Sequence, residues 1–221
     1  MPNSPTDTRR KLRDLLEERS FRTGEITLST GAKSNFYFDC KPVTLSADGA
    51  YLVGMAFLDA LQELPERPGA VGGLTHGADP IVSSMVALSY VRECPIQGFY
   101  VRKEEKRHGT QRRIENPPQP GTKVVIVDDV VTSGGSLLKA VEQARAAGCE
   151  VVAALALVDR EEQDGAANVR REVDTYRPLF TRRDFPGAAG VADGLNEAAA
   201  SIAKQSPGYA TPVLPPPTRR I

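Results

Sequence analysis

Several things are scarce in this chain, and each scarcity removes a class of function. Cysteine occurs only at Cys40, Cys94 and Cys149 in 221 residues. The three are far apart and form no Cys-x-x-Cys pair, so neither a disulfide framework nor a zinc site is indicated, and a reducing cytoplasm fits. His76 and His108 are the only histidines, and they lack metal-ligand spacing. A net charge is also missing, because 28 basic and 28 acidic residues cancel. No global basic field therefore argues for a nucleic-acid partner. No apolar run reaches the length needed to span a bilayer. The start, Met1-Pro2-Asn3-Ser4-Pro5, is polar and lacks the apolar core of a signal peptide. The expectation is a cytoplasmic protein that works on small molecules, without nucleic acid or membrane.

What is present is an alternation of strand and helix. Leu12, Leu15 and Leu16 mark an apolar face on a first helix over about residues 7–19. Ser46 can cap a second helix carrying Leu52, Val53, Met55, Ala56, Phe57, Ala60 and Leu61. Ala70 to Leu74 reads as a strand, and Asp79-Pro80 supplies an N-cap and a first-turn proline for a helix holding Ile81, Val82, Met85 and Val86. Gln97 to Val101 and Lys123 to Val127 are further strands. Leu137, Leu138, Val141 and Ala144 line a helix that Gly148 can terminate. Val151 to Val158 is continuously apolar, as a strand buried on both faces is. Such alternation predicts an α/β fold with a parallel central sheet flanked by helices, and ligands at the C-terminal edge of its strands. One domain over residues 1–206 is expected. The segment 207–221, with five prolines, reads as a loose Pro-rich extension.

The most informative stretch is Val124 to Ser136. An apolar strand ends in two adjacent carboxylates, Asp128 and Asp129, and a loop rich in hydroxyls and glycine leads into a helix. Backbone N–H groups of Val130, Val131, Thr132, Ser133, Gly134, Gly135 and Ser136 can converge on an anion, and the helix N-terminus favours negative charge there. Glycine lets the backbone approach closely, and Thr132, Ser133 and Ser136 add hydroxyl donors. Two carboxylates at the strand end, facing solvent or ligand, can accept from sugar hydroxyls or hold a hard cation such as Mg2+. Phosphate, sugar diol and magnesium together describe a sugar phosphate. No Gly-Lys-Ser/Thr follows the glycines, so this is not a Walker loop. A plain buried strand with a glycine turn accounts for Val124 to Val127 but not for the paired acids.

Three other stretches carry chemistry. After the strand Gln97 to Val101 comes a long polar segment holding Arg102, Lys103, Lys106 and His108. It is either a solvated charged loop or one that closes over a polyanion and offsets charge on a leaving group. Gly72 to Pro80, with Thr75 and His76 in its turn, is a second strand–glycine–helix cradle for an anion. Arg160 lies just past the strand Val151 to Val158, at the same sheet edge as the acid pair. It is either a partner of Glu161 and Glu162 in a surface salt bridge or a planar grip for a ligand carboxylate.

The acid pair with its loop resembles the phosphoribosyl pyrophosphate (PRPP) motif of the type I phosphoribosyltransferases. Arg102, Lys103, Lys106, His108 and Gly109 resemble the catalytic loop of the orotate phosphoribosyltransferases within that family. Ser29 to Asp39 is similar to that family's Ser-Gly-x-Lys-Ser stretch and following aromatics, with Thr30 breaking the serine–glycine pairing. His76 stands where many members carry lysine. The resemblance covers about residues 10–185. It implies a type I fold with a small N-terminal hood over about residues 1–45, and transfer of a phosphoribosyl group from PRPP to orotate with Mg2+. It implies that Lys103, Lys106, His108, Asp128 and Asp129 are catalytic, with the metal held by Asp128 and Asp129 through water or PRPP. PRPP would be bound by these together with Lys33, Thr75, His76, Arg102 and Val130 to Ser136. Orotate would be bound by Lys33, Tyr37, Phe38, Thr132 and Arg160, although Phe36 and Phe38 also suit a strand with core aromatics. It further implies a homodimer in which loop 102–120 serves the neighbouring site. A phosphoribosyltransferase for another base, or a PRPP-binding regulator, are the alternatives.

Overall fold

A computed structural model describes residues 4–27, 33–104 and 113–185. Lys106, His108 and Gly109 of the basic loop, and the Pro-rich segment 207–221, lie outside the described residues. Chain order is α1 (Pro5–Arg19), β1 (Phe21–Thr27), β2 (Lys33–Phe38), α2 (Lys41–Thr44), α3 (Ala47–Gln62), β3 (Ala70–Leu74), α4 (Asp79–Val91), β4 (Gln97–Val101), β5 (Ile114–Glu115), β6 (Lys123–Val131), α5 (Gly135–Ala146), β7 (Glu150–Asp159), α6 (Gly165–Glu172) and β8 (Tyr176–Thr181). The main sheet has six strands in the order β5-β4-β3-β6-β7-β8. Every neighbour in it is parallel except the short β5, which pairs antiparallel with β4. β1 and β2 form a separate antiparallel pair near the N-terminus.

Local chemistry explains the helix ends. Ser4 caps α1 by accepting from the Asp7 N–H at 3.2 Å, with Pro5 in the first turn. Ser46 does the same for α3 through Gly49 N–H at 3.2 Å. Gly148, with φ of 82°, lies past the end of α5, and Cys149 N–H returns to the Ala144 carbonyl at 3.0 Å. One expectation shifts: α4 begins at Asp79 itself, with Ala78 at the cap and no side-chain hydrogen bond there. The Ala78 N–H is taken by the Leu74 carbonyl at 3.2 Å instead, so the chain leaves β3 and enters the helix through a tighter turn.

The sheet is covered on both faces. Leu12, Phe57, Ile81 and Met85 from α1, α3 and α4 pack with Val125, Val127, Leu155 and Leu157 on one face. Leu137, Val141 and Val169 from α5 and α6 pack with Val124, Ile126, Ala154 and Ala156 on the other. Period-two alternation along β6 and β7 supplies both layers from one run of apolar residues. The acid pair continues this alternation. β6 does not stop at Val127 but runs to Val131, and Asp128 pairs with Ala156 of β7. Asp128 is therefore buried, at 4% exposure, rather than facing solvent as a strand-end residue would. Asp129 is half-buried. Among the described residues, no helix is long and apolar enough to cross a membrane.

Candidate active site

Three charged side chains are buried among the described residues: Asp128, Asp159 and Arg160. All three sit at the C-terminal end of β6 or β7. Burying charge opposes folding, so their meeting at one sheet edge marks this edge as the site.

The acid pair is the centre. Asp128 Oδ1 accepts from the Asp129 N–H at 3.0 Å, and Asp129 Oδ1 accepts from the Val130 N–H at 2.9 Å. Burial, and then the charge of Asp129, push the Asp128 carboxyl well above its ordinary range. Burial also pushes Asp129 up, although the Lys41 ammonium works against it. Both carboxylates thus hold protons more tightly than in water, and both favour a cationic neighbour. Cys40 donates weakly from Sγ to the Asp129 carbonyl at 3.8 Å.

The turn after β3 closes over this pair. A Cβ on Gly77 would lie 2.4 Å from Asp129 Oδ1 and 3.0 Å from Asp128 Oδ1. A Cβ on Gly73 would lie 2.1 Å from the Val127 carbonyl oxygen. Only glycine allows these two approaches. The Thr75–His76 peptide is cis, and Thr75 N–H extends the ladder to the Val101 carbonyl at 2.9 Å. The His76 side chain is 86% exposed, with Nδ1 3.4 Å from Asp79 Oδ2.

The hydroxyl loop follows β6. Thr132 and Ser133 are half-buried, and Gly135 and Ser136 are exposed at the start of α5. Gly134 takes φ of 81° at the helix cap, a conformation that glycine adopts without cost. Gly134 has no side chain to cap α5, and apart from a long contact of the Gly135 N–H with Ser133 Oγ at 3.5 Å the start of the helix faces an anion site. α6 supports the loop from behind. Asn168 Nδ2 donates to the Ser133 carbonyl at 3.0 Å, and a Cβ on Gly165 would be 2.2 Å from the Thr132 carbonyl oxygen. No motif reading singled out Gly165 or Asn168, because they come from a short helix that lacks a strong apolar stripe.

The basic segment is anchored at its root. Arg102 N–H donates to the Arg113 carbonyl at 2.8 Å, and Arg102 Nε pairs with Glu115 Oε1 at 2.6 Å. The guanidinium is thus held by the carboxylate of β5. Lys139 Nζ of α5 donates to the Lys103 carbonyl at 2.6 Å. The Lys103 side chain is exposed, and its charge works to lower the Asp128 pKa.

Lys33 and Tyr37 lie on β2, opposite Thr27 and Arg22 of β1. Phe38 is a correction. It is 4% exposed, with its ring 4.8 Å from Phe185 and 5.8 Å from Phe21. Phe38 belongs to the core, as the core-aromatic alternative has it for this residue. Arg160 does form the salt bridge with Glu162 that one of its two readings gave it, but as a buried residue and not on the surface. Its side chain is 3% exposed, and Nη2 pairs with Glu162 Oε2 at 3.1 Å.

Together the fold and this edge define a phosphoribosyltransferase: residues 56–175 match the phosphoribosyl transferase domain family. The curated orotate phosphoribosyltransferase of Rhodopirellula baltica is 46% identical over 77% of this chain and 90% of its own. That of Thermosynechococcus vestitus is 48% identical over 84% and 96%. The crystal structure of the Mycobacterium tuberculosis orotate phosphoribosyltransferase has a TM-score of 0.67 at 32% identity, covering 80% of this chain and 98% of that one. The same enzyme in complex with PRPP gives a TM-score of 0.62 at 27% identity, covering 82% and 92%. The chain belongs to the orotate phosphoribosyltransferase family.

Proposed function

We propose that this chain transfers the 5-phosphoribosyl group of PRPP to orotate, giving orotidine 5′-monophosphate and pyrophosphate, as a Mg2+-dependent homodimer in the cytoplasm. The observation that carries the reading is the meeting of the acid pair, the hydroxyl loop and the Gly77 turn at one sheet edge. Thr132 to Ser136 receive the 5′-phosphate at the uncapped start of α5. Asp128 and Asp129 receive the ribose hydroxyls. The turn at Thr75 to Gly77 receives the pyrophosphate through the N–H groups of His76 and Gly77, since that of Thr75 is held by Val101.

The acid pair fits Mg2+. Its oxygens are hard donors, and no cluster of three potential metal ligands occurs among the described residues. A site offering two carboxylates suits an ion that keeps water and phosphate oxygens as its other ligands. When bound, Mg2+ supplies positive charge against the charge that grows on pyrophosphate.

The chemistry needs no covalent nucleophile. As the bond from C1′ to the pyrophosphate oxygen lengthens, the electron pair leaves with pyrophosphate and the ribose gains oxocarbenium character. The orotate nitrogen bonds to C1′ from the opposite face and releases its proton to water. Positioning and charge stabilisation supply the rate. Lys103, Lys106 and His108 offset charge on the leaving group, and Lys106 or His108 provides it with a proton. Arg160 grips the orotate carboxylate, which requires its guanidinium to exchange Glu162 for the ligand.

The test is direct. The protein is incubated with PRPP, Mg2+ and orotate, and pyrophosphate and nucleotide are measured. Equal amounts of both are expected. No nucleotide from orotate, with turnover of a purine base instead, would reject the assignment.

A further inference from the structure

One buried polar contact at the site's rim involves neither the acid pair nor the phosphate loop. Asp159 ends β7 and is 2% exposed. Tyr176, at the start of β8, donates its hydroxyl to Asp159 Oδ2 at 2.9 Å. The Glu161 N–H donates to Asp159 Oδ1 at 2.8 Å. A buried carboxylate with each oxygen engaged is rigid. The phenol stays a donor over the working pH range, because burial and the Asp159 charge push its pKa up.

Arg160 lies between the two ends of this clamp. Its own N–H donates to the Val131 carbonyl at 2.9 Å, tying it to the last residue of β6. Glu161 has φ of 54°, a left-handed conformation that non-glycine residues seldom adopt. The Asp159 carboxylate is the group that holds the Glu161 N–H in this turn. The sheet does not need that side chain, since Asp159 pairs with Val131 and Thr181 through its backbone.

We infer that Asp159 and Tyr176 are positioning residues for base recognition: the hydroxyl-clamped carboxylate fixes the turn at residues 159–161 and so aims the Arg160 guanidinium. This rests on the reading of Arg160 as the residue that grips the orotate carboxylate. Tyr176 thereby connects an edge strand to substrate choice without touching substrate. Arg170 of α6 lies over the Tyr176 ring at 5.3 Å, on the helix that also supports the phosphate loop through Asn168.

The experiment uses the full chain with Tyr176→Phe, Asp159→Asn, Arg160→Ala and the double variant Tyr176→Phe/Arg160→Ala. Tyr176→Phe keeps the ring and removes one hydrogen bond. Asp159→Asn keeps an acceptor for Glu161 and guards against a folding defect in the first variant. KM for orotate, KM for PRPP, kcat and the unfolding midpoint are measured for each. Tyr176→Phe should raise KM for orotate about five- to tenfold, less than the full effect of one hydrogen bond to a charged group because the clamp acts indirectly through Arg160. KM for PRPP should stay within about twofold on the same scale, and Asp159→Asn should be milder than Tyr176→Phe. The double variant should bind orotate no worse than Arg160→Ala alone, because the clamp acts only through that side chain. Two results would overturn the inference while leaving the role of Arg160 standing. In one, orotate KM is unchanged in Tyr176→Phe although Arg160→Ala raises it. In the other, the two effects add. If Arg160→Ala itself leaves orotate KM unchanged, the reading beneath fails, and a rise in Tyr176→Phe would then show that the pair acts by another route.

Discussion

Gly77 and Asp129 are in van der Waals contact across the site, so close that a methyl group on Gly77 would fall 2.4 Å from Asp129 Oδ1. That oxygen already accepts from the Val130 N–H. Gly77→Ala must therefore break this bond or push the turn off the acid pair. A misplacement of about 1 Å at a reacting centre can cost roughly 10²-fold in rate. A loss of that order in kcat/KM is expected, with an unchanged circular dichroism spectrum. Activity within a few-fold of the parent would mean the turn is not part of the site.

Asp128 sets function against stability. Its carboxyl and that of Asp129 are pushed above the ordinary 3.8 in the folded chain. The folded state therefore binds more protons than the unfolded chain between 3.8 and the raised values. The stability of the protonated pair is fully present below that range and is lost as pH rises through it. Asp128→Asn removes one charge, so it should unfold later than the parent at pH about 7.5, by roughly 2–4 °C for each kcal/mol gained. The gain should vanish on acidification. Turnover should fall about 10²–10³-fold. A lowered midpoint at neutral pH would contradict the burial argument.

Metal dependence follows from the same pair. Excess chelator should abolish activity, and Mg2+ or Mn2+ should restore it. Full turnover in chelator would remove the metal from the reaction.

Arg160→Ala should lower kcat/KM for orotate at least about tenfold, since a hydrogen bond to a charged group is worth about 1.5–3 kcal/mol. Discrimination against uracil should shrink with it. The PRPP dissociation constant is the control and should barely change. Should PRPP binding collapse instead, Lys33 becomes the candidate for reading the base.

If the basic loop serves the neighbouring site, Lys106→Ala and Asp129→Asn proteins should complement when mixed. Random exchange makes about half the dimers hybrids, each with one intact site, so roughly a quarter of the activity should return. Absence of any recovery after verified exchange would place the loop on its own subunit.

How much of this was legible in the sequence depends on where the signal lay. Val124 to Ser136 announced strand, loop and helix because apolar run, acids and glycines are contiguous. Charged side chains suggest that its strand leaves the sheet after Val127; Asp128 instead continues the ladder beside Ala156. α6 and β8 were not read. α6 is eight residues long and opens on glycine, and β8 contains Pro178, which argues against a strand except at a sheet edge. With them went Asn168 behind the phosphate loop and Tyr176 on Asp159. Such contacts join segments that are distant in the chain, and no periodicity encodes them. Phe38 was placed with the base by resemblance, whereas its neighbours Phe21 and Phe185 put it in the core.

The borders of the main sheet bear on how copies of this chain can meet. On one side lies β5, only two residues long. On the other lies β8, where Pro178 has no N–H to offer and Arg177 is exposed. A long run of unpaired N–H and C=O groups would be a template for adding a further strand, and with it for aggregation. Neither border provides one. Among the described residues, the borders of the main sheet thus do not invite a second copy to extend it, and the parallel strands that carry the acid pair stay clear of such a contact.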